Sequence, residues 1–580
     1  MQRDHARLVE QRRQLLALSH RERLARVLGA RRPRQLVQSL PAQELYLTVR
    51  GLDREEALPL LAHASRHQLE FLIDVDAWVG DDLDPQRLGT WLESFAEAAP
   101  DLLVRWLLEA DEDAVVLALS RLLHVYKLDP STDEDFWPPD DRPLATLDNV
   151  YFVEGREGIA DAALRALWSG LDQLRAERRD VFEALLEQVL WIIPAEREEQ
   201  AFEQRAKRMA ALGFPELDEA LEVWAAGPEA DPGVRRRRAE QARALPAPDE
   251  PGEAGGGRDR PGPPLPALAA SIAPALIKQA ARRLSDPVRE RVAHDLVRLA
   301  NRFAVAGLGH LGDPSTHAEA LRTALSHVNL GLIELSSTAS NGVADAAAHE
   351  RSDSGGDVED LSARALAGLP IIELNRLGVG AVIERARRAA RLATRGWLSR
   401  VHLARERLDA ELDALLEGLT QPRPTLAQPG VSARAFCTAE DLAVADARLA
   451  TIEALGELLE QRLDAGRDEL RELRAGLAAR KGPNDIEWSS VALTSLARRA
   501  LGEAVRPVPL DEPQAREAIA RLLSADATPS PLFFELAAEL DLTGAAEFLG
   551  RRLSEDAAAV LAGSAADPRY VRALLFAIGS

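Results

Sequence analysis

Cysteine is almost absent: Cys437 is the only one among 580 residues. No intramolecular disulfide can form, and a zinc site built on several cysteines is excluded. Long apolar runs are missing too. No stretch approaches the about 18 apolar residues that a bilayer-spanning helix needs. The Arg-rich residues 1–30 lack the apolar centre of a secretory leader. By elimination, the sequence predicts a cytoplasmic location. Aromatic residues supply only 4% of the chain, so Leu, Ala and Val must fill the interior. Ala, Leu, Arg and Glu are strong helix formers, while aromatic and β-branched residues favour strands. The composition therefore predicts an all-α fold. Lysine is scarce as well, occurring only at Lys127, Lys207, Lys278 and Lys481. The arginines that replace it are spread along the chain, which suits a coding bias better than a phosphate site.

The chain is too long for one core, and a charged share of 28% beside a hydrophobic share of 46% fits globular units with packed interiors. Its formal net charge of −22 argues against non-specific nucleic-acid binding. That charge is uneven. Residues 1–34 hold ten arginines against Asp4, Glu10 and Glu22, whereas residues 37–230 hold 41 acidic and 17 basic side chains. The basic segment, with Leu8, Leu15, Leu18, Leu24 and Leu28 as an apolar stripe, is expected to dock on its acidic neighbour. The other reading is an arm for an anionic partner or surface.

Periodicity divides the chain further. Residues 1–36 form a basic helical segment, and 37–225 an acidic domain of short stacked helices, a superhelical helical-repeat array. Each short helix opens on a polar cap or a first-turn proline, as at Asp84-Pro85 and Pro100-Asp101. Helices this short are unstable alone and must stack. The exception is Leu147–Glu154, LDNVYFVE, where Val150 to Val153 suit a strand. Residues 226–265, rich in Pro, Gly and Arg, read as a disordered linker in which Arg235–Arg238 are a solvated charge run. Residues 266–339 are helical, 340–360 a disordered polar insertion, and 361–580 a helical carboxyl-terminal domain. There, Ile371–Leu419 and Ala439–Ala479 are expected to form a pair of long antiparallel helices.

Several motifs invite a catalytic or binding role, and the local sequence argues against each. Gly307, Gly309 and Gly312 match G-x-G-x-x-G, with Glu334 placed where a ribose-binding acid could stand. Yet Val288, Val292, Leu296, Leu299 and Phe303 keep helical spacing up to the glycines, and Asp313-Pro314 restarts a helix at once. A helix–helix turn is the reading. Asp74, Asp76, Asp81, Asp82 and Asp84 crowd around Trp78, but an EF-hand loop would need an oxygen ligand at Trp78, Gly at Val79 and Glu at Pro85. They read as caps and loop acids. In the acidic loop Asp129–Pro143, Phe136 and Trp137 are expected to anchor the loop to the core. His63 and His67 are four apart, but Ala64 stands where a metalloprotease helix carries Glu. Cys437 has no evident base partner and reads as a small buried apolar residue.

The phrases Leu40-Pro41 with Glu44 and Leu52-Asp53 with Glu56-Ala57 each open a helix. This part resembles the short-helix repeats of the cytosolic amino-terminal domain of the magnesium transporter E family. The segments LPAQELYLTVRGL, IDVDAWVGDDLDPQRL, LGFPELDEALEVW and VNLGLIELSS resemble a family of large uncharacterised bacterial proteins over most of the chain. That resemblance supports the fold and layout and supplies no functional residue. No catalytic, cofactor-binding or metal-binding residue is therefore assigned. The functional expectation is a non-enzymatic interaction scaffold or adaptor with a protein or peptide partner. The alternative is an enzyme or nucleotide-binding regulator whose site is assembled from distant helices.

Overall fold

In the computed structural model the protein is predominantly α-helical, with three small antiparallel sheets among the described residues. The structure describes residues 11–128, 145–246, 272–337, 356–398, 408–462, 487–561 and 571–576, apart from a few single positions. The acidic loop at 129–143 and most of the 340–360 insertion lie outside them. Of the expected linker, 247–265 also lies outside. No helix among the described residues is long and apolar enough to cross a membrane.

The chain divides into two compact units. The first gathers residues 1–225, 246–325 and 363–372; the second gathers 226–245, 326–362 and 373–580. The Pro314–Ser337 helix belongs to both, changing membership after Leu325.

In the first unit, short helices follow one another from His20 to Leu122. Their starts obey the capping chemistry of the sequence. Ser65 and Gln68 close a reciprocal capping box, and the Asp84 side chain accepts from the N–H groups of Gln86 (2.9 Å) and Arg87 (3.2 Å) ahead of Pro85. Asp101 makes no such bond, and its helix starts at Leu102. The Arg66–Asp76 helix is the centre, with every residue from Gln68 to Asp76 buried. Its Phe71 packs against Tyr46 and Phe214, and Trp91 packs against Tyr46 and Phe95, with ring centroids 6.2–6.5 Å apart. The strand expected near Val150 forms at Tyr151–Gly155. It lies between Leu123–Lys127 and Ala145–Thr146, with Val153 opposite both Val125 and Ala145.

The basic amino-terminal helix packs within this unit, as its stripe suggests. Leu15 and Val27 are fully buried, but Leu28 is 57% exposed. Arg23 takes a buried place instead. Its guanidinium donates to the carbonyls of Leu16 and Leu18 (both 3.0 Å), to Thr48 Oγ1 (2.8 Å) and to Glu44 Oε2 (2.9 Å).

The second unit has two helical stretches buried on all sides, 324–337 (326–337 being its share) and Trp488–Ala497. The first crosses the Ile371–Arg395 helix at glycine contacts: a Cβ on Gly331 would lie 2.0 Å from the Leu374 carbonyl oxygen, and one on Gly378 1.9 Å from that of His327. Only glycine allows backbones this close. The expected antiparallel pair takes a different form. Arg385 meets Asp446, Arg388 meets Glu453, and the Trp397 indole donates to the Ile452 carbonyl (3.0 Å). The first helix stops at Arg395, with Ala410–Leu419 a separate helix, and the second stops at Glu457.

The linker also needs correction over its described part. Pro232–Ala244 is a helix capped by Asp231 and carrying Arg235–Arg238. The arginine run is not simply solvated, because Arg235 and Arg238 point at carboxylates of the second unit.

Candidate functional site

The glycine-rich turn is where the sequence offered its strongest cofactor motif. The Asp286–Ala306 helix ends at Gly307, whose N–H bonds the Phe303 carbonyl (2.8 Å), and the next helix starts at Pro314. Groups of this same chain take up both backbone polar atoms of Gly312. The Gly312 N–H donates to His310 Nδ1 (2.9 Å), and the Gly312 carbonyl accepts from the Tyr46 hydroxyl (2.5 Å). Arg87 also approaches His310 Nδ1 (3.3 Å), so the neutral ring carries its proton on Nε2. Burial holds the His310 pKa down, with Arg87 adding to the effect and Asp76 opposing it. A Cβ at Gly312 would stand 2.1 Å from the Asp76 carboxylate. A carboxylate against the turn is the wrong charge for a pyrophosphate, whose cradle needs open N–H groups.

Behind the turn lies a satisfied polar core. His317 hydrogen-bonds the Leu311 carbonyl through Nε2 (2.6 Å) and Gln43 through Nδ1 (3.2 Å), and the side-chain amides of Gln43 and Asn301 bond reciprocally at 2.8 and 3.1 Å. Burial lowers the His317 pKa and pushes that of Tyr46 up. Such a network fixes one packing of the helices, and none of these groups is turned toward a ligand.

Four of the five aspartates around Trp78 take structural tasks, and Asp81 is exposed. Asp74 is held bidentately by Arg208 (2.7 and 2.9 Å), and its carbonyl accepts from Arg205 (2.8 Å), which covers the Trp78 ring at 5.3 Å. Burial raises the Asp74 pKa, opposed by Arg208 and Arg205. Asp76 accepts from the Trp91 indole (2.8 Å), Asp82 pairs with Arg121 (2.8 Å), and Asp84 is the cap already described. Among the described residues, no three His, Cys, Asp or Glu side chains are placed to hold a metal ion. His63 precedes the Ser65 cap and His67 follows it, so they do not share a helix face. Cys437 is half-buried rather than buried, because it sits in the turn just before the Thr438 cap. There its N–H bonds Asp441 (2.8 Å) and its carbonyl accepts from Asn329 (2.8 Å).

Two features went unseen in the sequence. The first is a charged network inside the second unit. Arg235 bridges Glu334 (3.0 Å) and Glu384 (2.9 Å), Arg385 lies 3.8 Å from Glu334 and 2.5 Å from Asp446, and Arg238 faces Glu373 at 3.1 Å. Burial raises the pKa of Glu334, and Arg385 and Arg235 oppose it. Nearby, burial drives the His327 imidazole down to about 4 against its hydrogen bond with Asn375.

The second feature is on the surface. The Arg179–Leu190 helix ends in Trp191, Ile192 and Ile193, and Pro194 opens the next helix. Trp191 is 77% and Ile193 58% exposed. With Glu187, Glu196 and Arg197 they line a concavity of about 500 Å³. The run LWII stopped by Pro was the available signal: proline forces a new helix start, and the three residues before it lose the face they would have buried.

These features describe a two-unit, predominantly α-helical protein whose polar motifs are built into its packing and whose surface carries an apolar corner at Trp191–Ile193. The chain belongs to a family of unknown function (DUF6178), whose model matches residues 2–577. No curated protein and no solved structure matches it.

Proposed function

We propose that this protein is a non-enzymatic docking scaffold or adaptor, and that the corner at Trp191–Ile193 receives a protein or peptide segment. The observation behind this reading is that corner. Single exposed apolar residues are ordinary on any surface, but a Trp and two Ile around a concavity form a contiguous patch. Tryptophan is also among the side chains that most often anchor interfaces. The test is site-specific photo-crosslinking from Ile193 in cells, compared with a Trp191→Ala chain. A discrete cross-linked partner that disappears in the variant, with an unchanged melting curve, is the expected result. Cross-linking that does not depend on Trp191 refutes the reading.

A second reading, an enzyme or nucleotide-binding regulator with a site assembled from distant helices, draws on one observation. Asn329 is fully buried in the second unit and its Oδ1 accepts no hydrogen bond among the described residues. A thermal shift with nucleotides or small metabolites that vanishes in Asn329→Leu would favour it.

A further inference from the structure

The first unit carries a second exposed patch, opposite in sign to the first. At the end of the His20–Leu28 helix, Leu28 projects into solvent, and Arg26, Arg31, Arg32 and Arg34 around it are all exposed. None of these four pairs with a carboxylate among the described residues, and Arg32 reaches only Gln35 (3.4 Å). Arg21, at the start of the same helix, already stands 3.7 Å from Glu56 and 3.9 Å from Asp53. The result is one exposed apolar side chain, a knob, with four uncompensated arginines within six residues of it.

The Trp191 corner is built the other way round. Its centre is an apolar hollow lined by Glu196, and Glu199 lies one turn further along the same helix; both are exposed, with no guanidinium partner among the described residues. Glu187 is occupied by Lys127, the Tyr151 hydroxyl (2.7 Å) and the Trp191 indole (3.2 Å), and Arg197 is drawn away to Asp113 and Gln188. The hollow has room for a leucine side chain together with the aliphatic stems of flanking arginines, whose heads can then reach the rim.

We propose that these two patches are the halves of one head-to-tail contact: Leu28 and its arginines on one copy of this chain enter the Trp191–Ile193 corner of a second copy. The proposal rests on the corner being a docking site and names its occupant. Charge selects the pairing. Corner against corner would set Glu196 and Glu199 facing their own copies, and knob against knob would oppose arginines, whereas knob into corner matches sign on sign. The patches lie on different helices, so one copy can offer both at once. Such a heterologous contact builds rings or open chains rather than a closed two-fold dimer.

Sedimentation velocity on the full-length chain, across protein concentration and salt, tests this. The expected result is concentration-dependent association that weakens as salt screens the rim charges. Arg31→Glu with Arg34→Glu in one variant, and Glu196→Arg with Glu199→Arg in another, should each weaken self-association by about tenfold or more. Mixed together, the two variants should associate again, since each then meets its complement. Trp191→Ala should abolish association in every combination. All these side chains are exposed, so an unchanged melting curve is the control for folding. A wild-type chain that sediments as a monomer throughout at low salt overturns the proposal, as does association indifferent to the reversals, or variants that stay apart when mixed. A monomer that still shows Trp191-dependent cross-linking to a different protein or peptide overturns the head-to-tail contact and leaves the docking reading standing. Loss of both removes both.

Discussion

Replacing Arg23 by Ala should destabilise the first unit far more than an arginine in a basic terminal segment ordinarily would. The Arg23 side chain is 4% exposed and its partner Glu44 15%. The guanidinium makes four hydrogen bonds, two of them to the carbonyls of Leu16 and Leu18 that no other described donor reaches at these distances. Removing one member of a buried ion pair costs about 3–5 kcal/mol, because the remaining charge is left without compensation. The partial exposure of Glu44 allows water to recover some of that, which puts the expectation near 3 kcal/mol. At about 2–4 °C per kcal/mol for a unit of this size, calorimetry should show the corresponding transition falling by about 6–12 °C. Arg23→Met separates the causes. It keeps most of the packed stem and should fall nearly as far if the polar contacts dominate. High salt should not reproduce the loss, since screening acts weakly on a buried pair. A drop below about 1 kcal/mol, the value of an exposed ion pair, would refute the reasoning.

Arg235→Ala should behave likewise in the second unit, where Glu334 would lose its 3.0 Å partner and keep the longer contact to Arg385; a loss of about 3 kcal/mol in denaturant unfolding is expected, and a neutral result would mean that the Pro232–Ala244 helix is not held by charge. Gly312→Ala, which drives a methyl group to within 2.1 Å of the Asp76 carboxylate, should lower stability by about 1–3 kcal/mol; an unchanged melting temperature would show that the turn relaxes freely. His327 binds its proton less tightly when folded, near pH 4 against 6.5 unfolded, so the folded state holds fewer protons between those values and stability must rise with pH across them. Acidification from 6.5 to 4 should therefore cost about 3 kcal/mol from this group, and His327→Gln should flatten the pH–stability curve in that window; identical curves for both chains would show that His327 titrates normally.

The short helices of the first unit were legible because their signals are local. Ser65 with Gln68, Asp84 before Pro85, and the alternation around Val153 each specify an element from within a few residues. The turn at Gly307–Gly312 was legible for the same reason: the helical spacing up to Phe303 excludes the strand that a dinucleotide fold would require there. Over its described part the basic segment packs as a helix, but Arg23 shares its buried face with Leu15 and Val27, and Leu28 turns outward. An arginine buried against Glu44 and two carbonyls looks, in sequence, like any other arginine. The same holds for Arg235, which sits in a composition typical of linkers and yet meets a carboxylate 99 residues further on.

Helices buried on every side mark the limit most clearly. A surface helix declares itself by an apolar stripe, and the search for stripes assumes one wet face. The stretch Trp488–Ala497 has no such face, and its Ser489, Ser490, Thr494 and Ser495 suggest exposure. They are buried because Thr494 and Ser495 return their hydroxyls to the carbonyls of Ser490 and Val491 (2.7 and 3.0 Å), which removes most of the polar cost. In the Arg66–Asp76 helix the remedy is farther away: Asp74 is tolerable in the core only because Arg208 reaches it, and nothing near residue 74 in the sequence announces that partner. Small hydroxyl residues without charge, or carboxylates whose arginine arrives from another helix, thus make a central helix look peripheral. The Trp191 corner is the converse, an apolar run that looks internal and is left outside by the proline after it. In both cases composition alone misplaces the segment, because burial is set by which other parts of the chain reach it.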